Sequence, residues 1–279
     1  MSDKSQEKKY YCLASGHFRL DGGGMFGIIP KPLWEKVAPP DNQNRINLAL
    51  RLLLIQSANR TVLIDTGIGD YHDEKFNKTF DVRSEKDPLV KALAQISLKP
   101  EDVTDLVLSH LHFDHTGGIG TRDETKNMVP VFPHVRCHVH KKHYQYAHQS
   151  TERDKGSFHT QNFDPVLQHY EQKGQLNWLD GEEGNIIPEI NLKFKASFGH
   201  TPWMIHPYDE NILYLADLIP TSHHIHIPWV MGFDIAAGET TEDKKKFLSL
   251  IEKENLYVIF EHDPEYWGGR IAKDEKGRY

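Results

Sequence analysis

The chain predicts an α/β fold, an αββα sandwich in which two mixed β-sheets pack face to face with helices on the outer faces. Three observations carry that expectation. Short apolar, strand-like runs alternate with a few helical segments along the 279 residues. Several of these runs end in a histidine or aspartate, at Asp65, His110, His200, Asp217 and His262. Those residues lie in both halves of the chain, so both halves must enclose one site, and residues 1–279 are expected to form a single domain.

Taken in order, residues 10–20 read as an opening strand, and residues 47–56 and 61–65 pair as a hairpin across Ser57-Ala58-Asn59-Arg60. Residues 88–96 place Leu89, Val90, Leu93, Ala94 and Ile96 at helical spacing, leading into the apolar run 103–108. Residues 131–140 form another strand candidate, and 192–198, 213–217 and 257–262 three more. Residues 240–254 read as an amphipathic helix, capped by Thr241-Glu242-Asp243, with Phe247, Leu248, Leu250 and Ile251 on its apolar face. An inserted helical segment is expected near 141–180. It is polar and aromatic, and either lies over the site or packs its rings locally.

The stretch Asp21-Gly22-Gly23-Gly24-Met25-Phe26-Gly27 lacks the Lys-Ser/Thr of a phosphate loop and the spacing of a dinucleotide fingerprint, so it reads as a mobile hairpin. Met25 and Phe26 are the candidates for an apolar substrate-pocket wall, and Trp34 for ordinary core packing.

The densest chemistry is His110-Leu111-His112-Phe113-Asp114-His115, after the run 103–108 and before Thr116-Gly117-Gly118. On a strand His110, His112 and Asp114 would share a face and His115 the other. The four converge only if the chain bends just after the strand, a freedom the paired glycines would supply. Imidazole and carboxylate ligands suit zinc and its first-row neighbours, and a close metal pair shares a water.

This segment resembles the HxHxDH signature of the metallo-β-lactamase fold superfamily. Further matches follow in order: Asp65-Thr66-Gly67, Gly199-His200-Thr201-Pro202, Asp217 and His262, each at the end of an apolar run. The resemblance implies the same two-sheet sandwich. It also implies that His110, His112 and His200 hold one metal, that Asp114, His115 and His262 hold a second, and that Asp217 bridges them. Asp65 would stand behind the ligands and orient a histidine, although a turn aspartate before Thr66-Gly67 reads the same way. The cofactors implied are two divalent ions, zinc first, with iron, manganese or cobalt as other occupants.

Such a pair would hold a bridging hydroxide as nucleophile, with Asp114 and Asp217 in catalytic roles and no serine or cysteine needed. Several lactonases of the family place a tyrosine three residues after the bridging aspartate, where this chain has Pro220. The proton donor is then sought in His223, His224 or a tyrosine of the inserted segment. A third metal at His223-His224-Ile225-His226 is not expected, because no carboxylate or cysteine stands at usable spacing.

Lys+Arg 33 against Asp+Glu 40 leave a net charge of −7 without a long basic run, which disfavours a nucleic-acid partner. The polar start and the absence of an apolar run of about 18 residues point to neither export nor a membrane span. Cys12 and Cys137 read as buried free thiols, and a cytoplasmic protein is expected. Within the resembled family, no glutathione-binding extension, RNA-gripping arm or flavin domain is expected. What remains is a compact hydrolase whose partner is a small lactone or carboxylic ester, with a homodimer as the assembly allowed. A phosphotriester hydrolase and a mononuclear iron enzyme resembling persulfide dioxygenases stand as the alternatives.

Overall fold

The computed structural model describes residues 7–83 and 86–279, so the polar start through residue 6 lies outside the described residues. In chain order the strands and helices are β1 (Lys9–Asp21), α1 (Gly22–Phe26), α2 (Lys31–Trp34), β2 (Arg45–Gln56), β3 (Thr61–Ile64), α3 (Glu74–Phe80), α4 (Pro88–Ala94), β4 (Asp105–Val107), α5 (Phe113–Thr116), β5 (Gly120–Arg122), β6 (Met128–Pro130), β7 (Arg136–His140), α6 (Lys141–Ala147), α7 (Thr160–Gln172), β8 (Leu176–Leu179), β9 (Glu183–Ile187), β10 (Leu192–Ser197), β11 (Met204–Tyr208), β12 (Ile212–Tyr214), α8 (Ala237–Glu254), β13 (Tyr257–Ile259) and β14 (Gly268–Arg270).

Two six-stranded sheets form, in the orders β1-β2-β3-β4-β7-β8 and β14-β13-β12-β11-β10-β9, with β5-β6 as a small ribbon. Both large sheets are mixed. In the first, β1, β2 and β3 pair antiparallel while β3, β4, β7 and β8 run parallel. In the second, the β12-β13 pair is parallel among antiparallel neighbours.

Alternation along β2 and β3 explains the layering. Leu53, Ile55, Val62 and Ile64 point into one core, shared with Phe194, Met204, Leu213 and Val258 of the second sheet. Their sequence neighbours Leu52, Leu54 and Leu63 point the other way, into a core closed by Leu89 and Leu93 of α4 and Phe163, Val166 and Tyr170 of α7. A strand buried on both faces reads as a continuous apolar run, which is what Leu52-Leu53-Leu54-Ile55 shows. Helix α8 brings Phe247, Leu248 and Ile251 to the first core, where Phe247 meets the ring of His206 on β11 at 4.4 Å. The sandwich flanked by helices is therefore the observed fold. Among the described residues no helix is long and apolar enough to cross a membrane.

Several local expectations are corrected. The glycine-rich stretch is not a hairpin: residues 22–26 form one helical turn, with the Asp21 carboxylate accepting the Gly24 N–H at 2.8 Å. The strand expected over 131–140 begins only at Arg136, because Pro133 interrupts it and the Val131 N–H turns to the Ile119 carbonyl. Helix α8 starts a turn earlier than Thr241, and Asp243 instead accepts the Phe198 N–H at 2.7 Å. Segment 141–180 carries α6 and α7 and ends in β8, which extends the first sheet. Cys12 and Cys137 are free thiols, the first only partly buried.

Candidate metal centre

The site lies beyond the carboxyl ends of parallel strands, where an open α/β sheet places its ligands. The bend in the histidine motif precedes it: β4 stops at Val107, residues 108–112 form a loop, and α5 turns Asp114 and His115 back toward His110. Gly117 and Gly118 serve close packing instead. A Cβ would fall 2.0 Å from the Ile68 carbonyl oxygen at the first and 2.2 Å from that of Thr66 at the second.

Asp65 leaves β3 in the left-handed region, φ 59°, which aspartate tolerates better than most residues. Its carboxylate accepts the Ser109 N–H at 2.7 Å, the Ser109 hydroxyl at 2.6 Å and the His115 Nδ1–H at 3.0 Å. One side chain thus pins both ends of the motif loop. Glu261 Oε2 also lies 2.9 Å from His115 Nδ1 and accepts the Tyr214 hydroxyl at 2.6 Å.

Seven side chains offer atoms to two adjoining groups, His110, His112, His200 and Asp217 in one, Asp114, His115 and His262 in the other. In the first, His112 Nδ1 stands 3.1 Å from His110 Nε2 and 3.2 Å from His200 Nε2, which is 3.2 Å from Asp217 Oδ2. In the second, His262 Nε2 is 3.6 Å from Asp114 Oδ2, and His115 Nε2 is 3.9 Å from Asp114 Oδ1. Asp217 reaches this group too, with Oδ1 3.1 Å from His262 Nε2 and Oδ2 3.6 Å from His115 Nε2. A tetrahedron with bonds of about 2.0–2.1 Å has edges of about 3.4 Å, so these separations suit ligands around a small cation. His115 Nε2, His262 Nε2 and Asp217 Oδ1 are buried and face one another without a hydrogen bond of good geometry, a costly state that a cation would relieve. The His/Asp cluster therefore fits a divalent-metal site.

Outer nitrogens of the other ligating imidazoles are engaged, which aims the inner ones, whereas His112 Nε2 is buried without a partner. His200 Nδ1 donates to Asp234 at 2.9 Å and His262 Nδ1 to the Ala49 carbonyl at 2.9 Å. Burial and neighbouring imidazoles hold His110 and His112 well below the ordinary histidine range. Burial also pulls on His262, but Asp217, Glu261 and Asp114 outweigh it and raise the ring to about 9. Burial pushes the Glu261 carboxyl up to about 7. In the metal-free protein, protons on imidazoles thus offset the buried carboxylates.

A pH dependence follows. His262, raised above its unfolded value of about 6.5, contributes stability that is complete below that value and is lost as pH rises through 9, on the order of 3 kcal/mol. Glu261 acts with the same sign between its ordinary value and about 7. Asp217, held well below its ordinary value by His262, His115 and His200 against the pull of burial, has the opposite sign and matters only in acid. Urea midpoints in chelator are expected to fall from pH 6.5 to 9.5, and added zinc to stabilise more at the upper end, since deprotonated imidazoles are the ligands. A flat profile in chelator would contradict this charge assignment.

The cluster forms the floor of a cavity of about 370 Å³ whose walls include Leu20, Met25, Phe80, Phe113, Met231 and Phe233. Met25 is thus at the cavity, whereas Phe26 is buried between Trp34 and His224, with rings stacked at 5.4 and 5.0 Å. Trp34 is core. His223 and His224 are not brought to the cluster. His223 lines a separate cavity of about 250 Å³, and His224 spends both nitrogens, Nδ1 on the Thr221 hydroxyl at 2.7 Å and Nε2 on the Met25 carbonyl at 2.9 Å. Tyr144 and Tyr146 of the inserted segment donate to Asp164 and Asp154 and line no part of this cavity.

The metallo-β-lactamase superfamily model matches residues 52–262, most of the chain and all seven clustered side chains. The chain belongs to the metallo-β-lactamase superfamily. An N-acyl homoserine lactonase of Bacillus cereus is similar at 24% identity over 272 residues, covering 92% of this chain and 94% of that protein. A probable metal-dependent hydrolase from Staphylococcus aureus superimposes with a TM-score of 0.83 at 25% identity, over 95% of this chain and 93% of that one. AidC, a dizinc quorum-quenching lactonase crystallised with its product, superimposes with a TM-score of 0.73 over 99% of this chain and 94% of that one. At 21% identity that last likeness speaks for the fold alone. Within the superfamily the chain is a metal-dependent hydrolase.

Proposed function

We propose that this metallo-β-lactamase-fold chain is a dinuclear hydrolase of small, neutral lactones or related carboxylic esters. The observation that carries the reading is Asp217, whose Oδ2 lies between His200 of one donor group and His115 of the other while its Oδ1 faces His262, on the floor of a largely apolar cavity. His110, His112 and His200 would hold one ion, Asp114, His115 and His262 the other, and Asp217 both. Four buried carboxylates, Asp65, Asp114, Asp217 and Glu261, supply negative charge that suits more than one divalent cation. An ion pair there would bring the pKa of a shared water to about 7 and polarise the ester carbonyl.

The chain's own residues do the rest. Asp65, Asp234 and the Ala49 carbonyl keep the ligating imidazoles aimed inward. Leu20, Met25, Phe113 and Met231 exclude water and accept an apolar acyl or alkyl group. Arg153 stands in the same lining, with its Nη2 donating to the Gly232 and Asp234 carbonyls. Asp114, which lines the cavity, would take a proton from the attacking water and return it to the leaving oxygen. Water adds to the carbonyl carbon, the ring C–O bond breaks, and one hydroxy acid results.

The N-acyl homoserine lactonases that the chain resembles put acyl-homoserine lactones first in the test panel. Acid release is to be followed over acyl-homoserine lactones, simple γ-lactones, aryl esters and phosphotriesters, with metal content measured on the same sample. Metal-dependent opening of lactones at two ions per chain is expected. Turnover confined to phosphotriesters would overturn the lactone reading, and one iron per chain would overturn the dinuclear one.

A further inference from the structure

The side chain that joins the two histidine-bearing loops of the first donor group is itself a histidine. His143 lies in α6 of the inserted segment, 1% exposed and outside the cavity lining. Its Nε2 accepts the Leu111 N–H at 2.9 Å, and its Nδ1 donates to the Pro202 carbonyl at 2.7 Å. Leu111 separates His110 from His112, and Pro202 stands two residues after His200. The tautomer follows from the partners: a backbone N–H only donates, so Nε2 is bare and Nδ1 carries the proton.

The same helix start grips the second loop in other ways. The His140 ring stacks on Trp203 with centroids 5.1 Å apart, and the Lys142 ammonium lies 4.2 Å over the Trp203 ring. Phe158 packs on both His112, at 4.7 Å, and His143, at 5.8 Å. The two tethered loops carry three nitrogens that must meet at 3.1–3.2 Å, and neither loop has strand pairing at those residues to hold it.

We propose that His143 is a positioning residue, a two-ended tie through which the inserted segment sets the spacing of His110, His112 and His200 and so the affinity of that group for its cation. The proposal rests on the metal reading of the cluster and deepens it. Truncating the tie leaves a buried N–H and a buried carbonyl unpaired and loosens the loops between their other anchors, at Asp65 for the first and at the start of α8 for the second.

Cobalt(II) absorption and zinc–chelator competition on the full chain would measure it. His143→Phe is expected to weaken one of two ions by about 10–100-fold and the other by less than about threefold. His143→Gln, whose amide accepts and donates over the same span, is expected to restore affinity to within about threefold, while His143→Met, with no donor for Pro202, is not. A folded Phe variant with both affinities native, or a Gln variant as weak as the Phe variant, would overturn the proposal. Should the Phe variant not fold, equal affinities in the Gln and Met variants overturn it, and loss in Met alone supports it. A wild-type chain that takes up no divalent ion overturns the metal reading and this inference with it, whereas native affinities in the variants overturn only this inference.

Discussion

Asp217→Asn is expected to lower kcat/KM by about a thousandfold. Asp217 is the side chain that offers one oxygen 3.2 Å from His200 and the other 3.1 Å from His262, and the amide replaces one of those oxygens with a nitrogen that does not ligate. On the proposed two-metal reading, at least one ion then loses a ligand. A bound ion contributes several kcal/mol of charge stabilisation, and roughly 4 kcal/mol corresponds to about a thousandfold in rate. A second readout separates this from misfolding. Wild type should gain about 4 kcal/mol of stability at zinc a thousand times above its dissociation constant. Calorimetry with and without zinc is expected to show less than about half of that gain in the variant, because it holds the metal more weakly. Native turnover with two ions per chain in Asp217→Asn would remove Asp217 from the bridging position.

How much of this site the sequence discloses depends on how local each contact is. His110, His112, Asp114 and His115 fall within six residues, so their clustering needs no knowledge of the fold. Asp65, His200, Asp217 and His262 are distant in sequence, yet each directly follows an apolar run, and strand ends gather at one edge of a sandwich. The partners behind them carry no such mark. Asp234 supports His200 from a loop 34 residues away, and Ser109 and His143 act on backbone or on Asp65. Glu261 offered a faint signal, a carboxylate directly after the apolar run 257–260 and next to His262, where burial demands a partner.

The misreadings have physical causes as well. Three successive glycines suggested mobility, but at Gly22 a Cβ would fall 2.4 Å from the Trp34 ring and at Gly24 2.4 Å from the Phe233 ring. Gly22 and Gly24 are there for close packing. His224 is sought as a proton donor because Pro220 stands where several lactonases place a tyrosine, whereas here Thr221 and Met25 occupy both nitrogens and burial pulls the ring down to about 3. Side-chain availability is a three-dimensional property, and the motif alone does not carry it.

Close packing also governs the other large expected effect, Gly199→Ala. A Cβ there would lie 2.1 Å from the Thr240 backbone nitrogen and 2.5 Å from its Cα, so no rotamer can relieve the contact. The loop is stitched to the start of α8 on either side of the glycine: Phe198 N–H to Asp243 at 2.7 Å, Ala236 N–H to the Gly199 carbonyl at 2.9 Å, Ile235 N–H to the His200 carbonyl at 3.2 Å. To make room the loop must move off the helix by roughly 1 Å and carry His200 with it, a displacement that costs about a hundredfold when reacting groups depend on it. Overpacking against backbone adds a stability loss of about 3 kcal/mol. Urea midpoints, zinc affinity and kcat/KM should therefore all fall in Gly199→Ala. Gly269→Ala in β14, where a Cβ meets nothing within 4 Å, should stay within about 0.5 kcal/mol of wild type. If Gly199→Ala lost stability but kept native zinc affinity and turnover, the placement of His200 would not depend on the loop's contact with α8, and the second sheet alone would be holding that ligand.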